Sequence, residues 1–464
     1  MKEKFKGLFK DTIIFALGNI GSKIVLFLLV PLYTKYLSTD EYGISDLIFT
    51  ISQLIVPVAS VTIWKGVIRY GLKENIKKAD TLLIGYIVSV IGSILILVTT
   101  PLYDIYKPIA PWKWYLSVYS IVYIFSQVQM NYLKVKDQNH LYALVSVLQT
   151  FTLGISNIIL IVYLHYGIRG YILSNIYANI AVIVVVFLVG HLYRDLGEAR
   201  YNKELLLALV KYSAPLVINE ISWWVIHSSD KIMIEAFITA SVLGLYTAAS
   251  KIPSLVNTCV SIFIQAWGIS SIKEVEKTND SLYYTYVYRL YCFFTFGITI
   301  VFNSVIYPFM DIYVDKTFAE SANMVPLLLV AASFSAISAY FGSLFSALEK
   351  NAIIMWTSLA GSIVNLVLNY VFIHVYGIWG VIIGTVVAYI LIAVLRIFHI
   401  RKHVDLIINY KEFILTSVLS LIQAIVVAIR YHEIIISVIC IVMFLIINRS
   451  FIQLIKNRVI RRRD

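Results

Sequence analysis

Charge is scarce in this chain: Asp, Glu, Lys and Arg make up 14% of 464 residues, against roughly a quarter in soluble domains. A sequence that is 60% hydrophobic, with a mean hydropathy of +0.83, has too little polar surface to stay in water. Cysteine is scarcer still. Cys259, Cys292 and Cys440 lie in apolar runs without paired spacing, which excludes a disulfide framework or zinc site and reads them as small buried hydrophobes. Catalytic fingerprints are also missing: there is no P-loop, HExxH, CxxC pair, nucleophile elbow or Gly-rich dinucleotide motif. The longest loops, around 69–80 and 269–282, carry no carboxylate constellation. No enzymatic chemistry, metal or cofactor is expected.

What the chain does have is apolar runs of about 20 residues, the length that crosses a ~30 Å hydrocarbon layer as a helix. They predict an all-α polytopic membrane protein with about fourteen spans, at 11–35, 43–68, 80–100, 112–133, 140–163, 170–193, 207–228, 240–268, 283–307, 322–346, 352–374, 378–400, 410–429 and 434–455. Tyr33, Tyr36, Tyr103, Tyr106, Trp112 and Trp114 gather at span ends, where amphipathic rings suit the headgroup layer. The run after basic Met1–Lys10 exceeds a signal h-region and has no A-x-A site, so it is read as a retained first helix.

The net charge of +12 invites a nucleic-acid reading, which its distribution argues against. Cations cluster on one side of the predicted spans: Lys2, Lys4, Lys6 and Lys10, Lys73, Lys77 and Lys78, Arg194, Arg200 and Lys203, Arg401 and Lys402, then Lys456, Arg458 and Arg461–Arg463. This positive-inside asymmetry predicts a multi-pass membrane protein with both termini cytoplasmic.

The chain also resembles itself. Tyr166-Gly167-Ile168-Arg169-Gly170 before span six echoes Tyr376-Gly377-Ile378-Trp379-Gly380 before span twelve, and the register continues through Ala178/Ala388, Ile180/Ile390 and Asp195-Leu196/Asp405-Leu406. Tyr42-Gly43-Ile44 echoes Leu243-Gly244-Leu245, and Asp137-Gln138-Asn139 echoes Glu349-Lys350-Asn351. Same-orientation repeats of six spans predict two pseudo-symmetric lobes, 1–203 and 204–406, followed by a transmembrane hairpin and basic cytoplasmic tail at 407–464.

Ionic groups sit inside these runs, where each costs at least ~2.5–3.5 kcal/mol unless it faces a polar interior. Thr247, Lys251, Ser254, Thr258, Ser261 and Gln265 fall on one face of span eight, the spacing expected of a wet cavity wall. Span eleven carries Ser358, Ser362, Asn365 and Asn369, read as interhelical glue. Lys23 lies deep in span one with Asn19 one turn away. Asp46 and then Lys65 and Arg69 lie near opposite ends of span two, Glu220 and His227 share a face of span seven, and Arg289 enters span nine. Lys65, Arg69 and Arg289 are placed either to snorkel or to line a chamber. The chamber reading makes Lys23, Lys65, Arg69, Lys251 and Arg289 an anion-binding set with Asn19, Thr247, Ser254, Thr258, Ser261 and Gln265 as polar wall. Glu220, with Asp46 and His227, is then the candidate for proton or sodium coupling, or a counter-ion.

The stretches Gly18-Asn19-Ile20-Gly21-Ser22-Lys23, Pro31-Leu32-Tyr33-Thr34-Lys35-Tyr36-Leu37-Ser38 and Glu41-Tyr42-Gly43 resemble the opening of bacterial polysaccharide-biosynthesis membrane proteins, the Wzx-type oligosaccharide flippases. Lys211-Tyr212-Ser213-Ala214-Pro215-Leu216, Asp230-Lys231 and Gly244-Leu245-Tyr246 resemble the family's second half. The resemblance implies the multidrug/oligosaccharidyl-lipid/polysaccharide (MOP) exporter superfamily, two lobes in a V and alternating access. It also implies an undecaprenyl-pyrophosphate-linked oligosaccharide as substrate, with polysaccharide polymerases as partners. A lipid II (peptidoglycan precursor) flippase and a MATE-like cation-coupled multidrug antiporter remain as alternatives.

Overall fold

The computed structural model describes residues 25–277 and 281–460. Lys23, Asn19, the first part of span one, the N-terminal basic cluster and Arg461–Arg463 lie outside these residues. Among the described residues every regular element is a helix. Eleven helices among the described residues are long and apolar enough to cross a membrane, and Val25–Tyr36 and Glu433–Ile447 are shorter apolar helices. Lys113–Val135, too polar for that group, is still 23 residues long. These fourteen segments fall on the fourteen predicted spans.

Helix contacts group into two compact units, one within Ile24–Gly244 and one within Leu245–Asp464. The first holds α1 (Val30–Tyr36), α2 (Thr39–Ser60), α3 (Ile63–Gly71), α4 (Lys78–Thr99), α5 (Lys113–Val135), α6 (Asn139–Asn157), α7 (Gly167–Val189), α8 (Leu192–Glu198) and α9 (Lys203–Phe237). Its core is a cluster around Ile63, Val67, Leu82, Val128, Leu133 and Leu209, all without exposed surface. The second holds most of α10 (Ala240–Lys277), with α11 (Ser281–Ser304), α12 (Ile306–Tyr313), α13 (Ser321–Ala347), α14 (Asn351–Tyr376), α15 (Ile378–Ile400), α16 (Tyr410–Ala428), α17 (Glu433–Ile447) and α18 (Arg449–Ile460).

Span two, expected as one helix, is two. α2 starts at a capping box in which the Ser38 hydroxyl accepts from the Glu41 N–H and the Glu41 carboxylate accepts from the Ser38 N–H. It stops at Ser60 because Val61 and Thr62 take left-handed backbone angles, φ 52° and 48°, strained for β-branched residues. Pro57, one turn earlier, has already removed a ladder donor. The Thr62 hydroxyl donates to the Ser213 carbonyl on α9 at 3.2 Å, anchoring the break. Span seven runs longer than its apolar window of 207–228, since α9 has 35 residues and rises about 50 Å. Hydropathy fades at Asp230-Lys231, but the helix continues because Lys231 finds a partner there.

The internal echoes are visible in the backbone. Gly167 and Gly377 both have positive φ, 53° and 56°, and Asp137 and Glu349 share φ 58° at equivalent interhelical turns. A third echo is reciprocal: a Cβ on Gly43 would sit 2.2 Å from the Ala240 carbonyl oxygen, and one on Gly244 would sit 1.9 Å from that of Thr39. Glycine at both positions lets the starts of α2 and α10 touch backbone to backbone, with the Thr39 and Ser241 hydroxyls 2.6 Å apart beside them.

In the second unit α13 is the central, almost wholly buried helix. Tyr340 on α13 stacks between Trp267 of α10 and Tyr291 of α11, with centroids at 5.1 and 5.4 Å. Arg396 of α15 is buried and has no carboxylate partner among the described residues. Its guanidinium donates to the Ser338 carbonyl at 2.6 Å, the Ser358 hydroxyl at 2.8 Å and the Thr357 hydroxyl at 3.1 Å, tying α13 and α14 to α15. Asn365 on α14 donates to Thr385 on α15 at 3.3 Å, an interhelical contact of the kind expected of span eleven.

Candidate functional site

Two ion pairs of the first unit join α2 and α3 to α9. Near one end, Lys231 Nζ lies 2.7 Å from Asp46 Oδ2. In the middle, the Trp224 indole N–H donates to the Thr50 carbonyl at 2.7 Å. Past the break in span two, Lys65 Nζ pairs with Glu220 Oε1. Glu220, Trp224 and Lys231 are four and seven residues apart, so α9 presents all three along one side. The charges are crossed. Span two carries acid then base, α9 carries base opposite that acid and acid opposite that base, and both ion pairs form only in this register.

The two pairs differ in solvation. Asp46 and Lys231 side chains are 10% and 20% exposed, whereas Lys65 and Glu220 are 34% and 33% exposed. A charge pair in a drier setting is more strongly coupled and costs more when broken. The Asp46–Lys231 pair is therefore the drier contact of the two, and the Lys65–Glu220 pair the more solvated. Gly66 makes room for this approach, since a Cβ there would lie 2.7 Å from the Ser213 hydroxyl. Arg69, one turn beyond Lys65, is exposed and makes no ion pair among the described residues. His227 stacks flat on Trp223, with ring planes 4° apart and centroids 5.3 Å apart.

The remaining predicted residues belong to the second unit. Arg289 donates to Glu412 of α16 at 2.7 Å and to Ser450 of α18 at 2.9 Å, beside a small cavity lined by Tyr288, Cys292, Asn409 and Asn448. On α10, Lys251 is partly buried and Thr247 fully so. The hydroxyls of Ser254, Thr258 and Ser261 donate to carbonyls of their own helix, Lys251, Ser254 and Thr258 respectively, at 2.7–2.9 Å. Their donors are thus satisfied without a wet cavity, and only acceptor lone pairs face outward. The Gln265 side chain, like Lys23 and Asn19, lies outside what is described.

Sequence reasoning picked out Asp46, Lys65 and Glu220 but not their pairing, and missed Lys231, Glu412 and Arg396 as structural partners. A signal for Lys231 existed: it lies eleven residues, about three turns, from Glu220.

Residues 8–268 match a family model described as polysaccharide biosynthesis protein. Lsg locus protein 1 of Haemophilus influenzae is 25% identical over 268 residues, 56% of this chain and 63% of that protein, so the match spans under two thirds of the relative. Among solved structures, the lipid II flippase MurJ in an inward closed conformation aligns with a TM-score of 0.69 at 17% identity, covering 95% of this chain and 100% of that one. An inward-facing MATE-family multidrug transporter of the MOP superfamily aligns with a TM-score of 0.69 at 15% identity, over 82% of this chain and 94% of its own. At such identities the likeness carries the fold.

Proposed function

The chain belongs to the polysaccharide biosynthesis protein family, and from that premise we propose that it is a Wzx-type flippase. It moves an undecaprenyl-pyrophosphate-linked oligosaccharide from the cytoplasmic to the outer leaflet by alternating access, for surface polysaccharide synthesis. In this reading the protein sits in a bacterial inner or plasma membrane with both termini cytoplasmic. Residues 1–203 and 204–406 form its two lobes, with the 407–464 hairpin appended. Polysaccharide polymerases take over the product.

The observation that carries this reading is the half-open Lys65–Glu220 pair with Arg69, which has no ion pair among the described residues, one turn away. A diphosphate brings more negative charge than one carboxylate, and it competes for an ammonium that is a third exposed. Lys251 and Arg289, with Lys23, are further candidates for the anion path. Glu220, once displaced, is the group for proton or sodium coupling. Against the multidrug antiporter, the carboxylates of Asp46 and Glu220 already have lysine partners. A lipid II flippase shares the same diphosphate chemistry and is separated by genetics.

The test is a strain lacking the native gene. Lys65→Ala and Arg69→Ala are expected to abolish surface polysaccharide and build up lipid-linked oligosaccharide on the inner leaflet, with the protein inserted at normal abundance. Normal polymer in both variants sinks the assignment. Rescue of a strain depleted of its peptidoglycan flippase would favour lipid II as the substrate.

A further inference from the structure

Beside the ion pair, α9 carries a second exposed stripe. Tyr212, Asn219, Trp223 and His227 are spaced seven, four and four residues apart, on one side of the helix, and all four are exposed, Trp223 by 50%. Leu207 and Ile218, 58% and 69% exposed, mark a separate apolar side. Hydrocarbon offers an amide and an imidazole no hydrogen-bond partner, so polar groups exposed inside a span belong on a wet face. Glu220, next to Asn219 and three residues before Trp223, and its partner Lys65 are each about a third exposed beside this stripe.

The composition of this stripe is specific. His227 stacks parallel to the Trp223 indole, with centroids 5.3 Å apart, and the indole remains 50% exposed. A pre-fixed aromatic plane loses little conformational freedom on binding. Asn219, one turn before the indole, supplies one acceptor and two donors, and His227, one turn after it, supplies ring nitrogens. An apolar plane flanked by directional hydrogen-bonding groups matches a pyranose ring, whose axial C–H groups make an apolar face and whose hydroxyls ring its edge. It does not match a lipid chain, which has no use for the amide, or a simple anion, which has no use for the indole.

We propose that Asn219, Trp223 and His227 read the first sugars of the lipid-linked substrate while its diphosphate rests at Lys65 and Arg69. This rests on the transport reading above and adds to it the surface that distinguishes one glycan from another. The indole supplies stacking for any hexose, and Asn219 and His227 set which hydroxyl pattern is preferred.

Two probes test it on the purified full-length protein: farnesyl diphosphate, and farnesyl-diphospho-N-acetylglucosamine, which differs by one sugar. Wild type is expected to bind the sugar-bearing probe about tenfold tighter. Trp223→Leu should remove that preference while binding farnesyl diphosphate unchanged, and Trp223→Phe should keep most of it. Equal preference in wild type and Trp223→Leu, or none in wild type, overturns the proposal and leaves the transport reading standing. Binding of neither probe to wild type takes down both. If Trp223→Leu does not fold, Asn219→Ala at an exposed position decides, with a loss of preference of threefold or more expected and an unchanged preference overturning the proposal.

Discussion

Lys65 and Glu220, 155 positions apart in the sequence, meet as an ion pair just past the break that divides span two. The same helix pair carries Asp46 and Lys231 at 2.7 Å in a drier setting. The two contacts differ in solvation, and on the proposed reading the wetter one exchanges with substrate while the drier one fastens the helices, which generates separable outcomes.

Lys65→Ala should lower stability by only about 1 kcal/mol, because both partners are a third exposed and water screens the charge left behind. Transport should fall at least tenfold. The double variant Lys65→Ala/Glu220→Ala should recover the stability but not the transport, since the two residues are coupled. Thermal unfolding in detergent, set beside polymer yield, separates these effects.

Asp46→Ala should cost more, about 3 kcal/mol, because it strands Lys231 in a site only 20% exposed. The exchange Asp46→Lys/Lys231→Asp keeps both charges and should regain most of the loss. A swap no more stable than the single variant would show that the contact is not a stabilising pair.

Gly244→Val places a side chain where even a Cβ lies 1.9 Å from the Thr39 carbonyl oxygen. Helix backbones must part, so folded protein in membranes should drop severely. Gly154→Ala is the control: nothing lies within 4 Å of its Cβ, and helix propensity predicts a gain of up to about 1 kcal/mol. Membrane abundance and melting temperature of the two variants check the contrast.

Glu235, beyond the apolar window of α9, accepts from the Tyr106 hydroxyl, and burial raises its carboxyl pKa above the ordinary 4.5. A raised carboxyl favours its neutral form in the folded protein. Its stabilising contribution is therefore complete below pH about 4.5 and lost as pH rises through the folded value. Glu235→Gln should melt higher than wild type at pH 7.5 and match it near pH 4. A difference independent of pH would remove Glu235 as the cause.

Much of the fold was legible in the sequence because bilayer depth imposes one length and one composition on every span. Even span four, too polar by hydropathy, was findable as the run between interfacial Trp112 and the Asp137 turn. The echo of Gly43 with Gly244 was likewise visible in the sequence, and the reciprocal approach of those two glycines gives it a physical meaning. The site was legible only in part. Asp46, Lys65 and Glu220 stood out because charge is rare in apolar runs, yet no periodicity within one helix tells which residue of another it will face.

Composition and periodicity by themselves determined a polytopic helical protein and its span positions, since these depend on local length, polarity and backbone demands. Only the tertiary structure decided that span two breaks at Val61-Thr62, that α9 continues through Lys231 and that the charges of these helices pair crosswise. Those outcomes depend on which side chains meet across helices. Coulombic and hydrogen-bond energies act at a few ångströms between residues more than a hundred positions apart, and only the packed chain sets that distance.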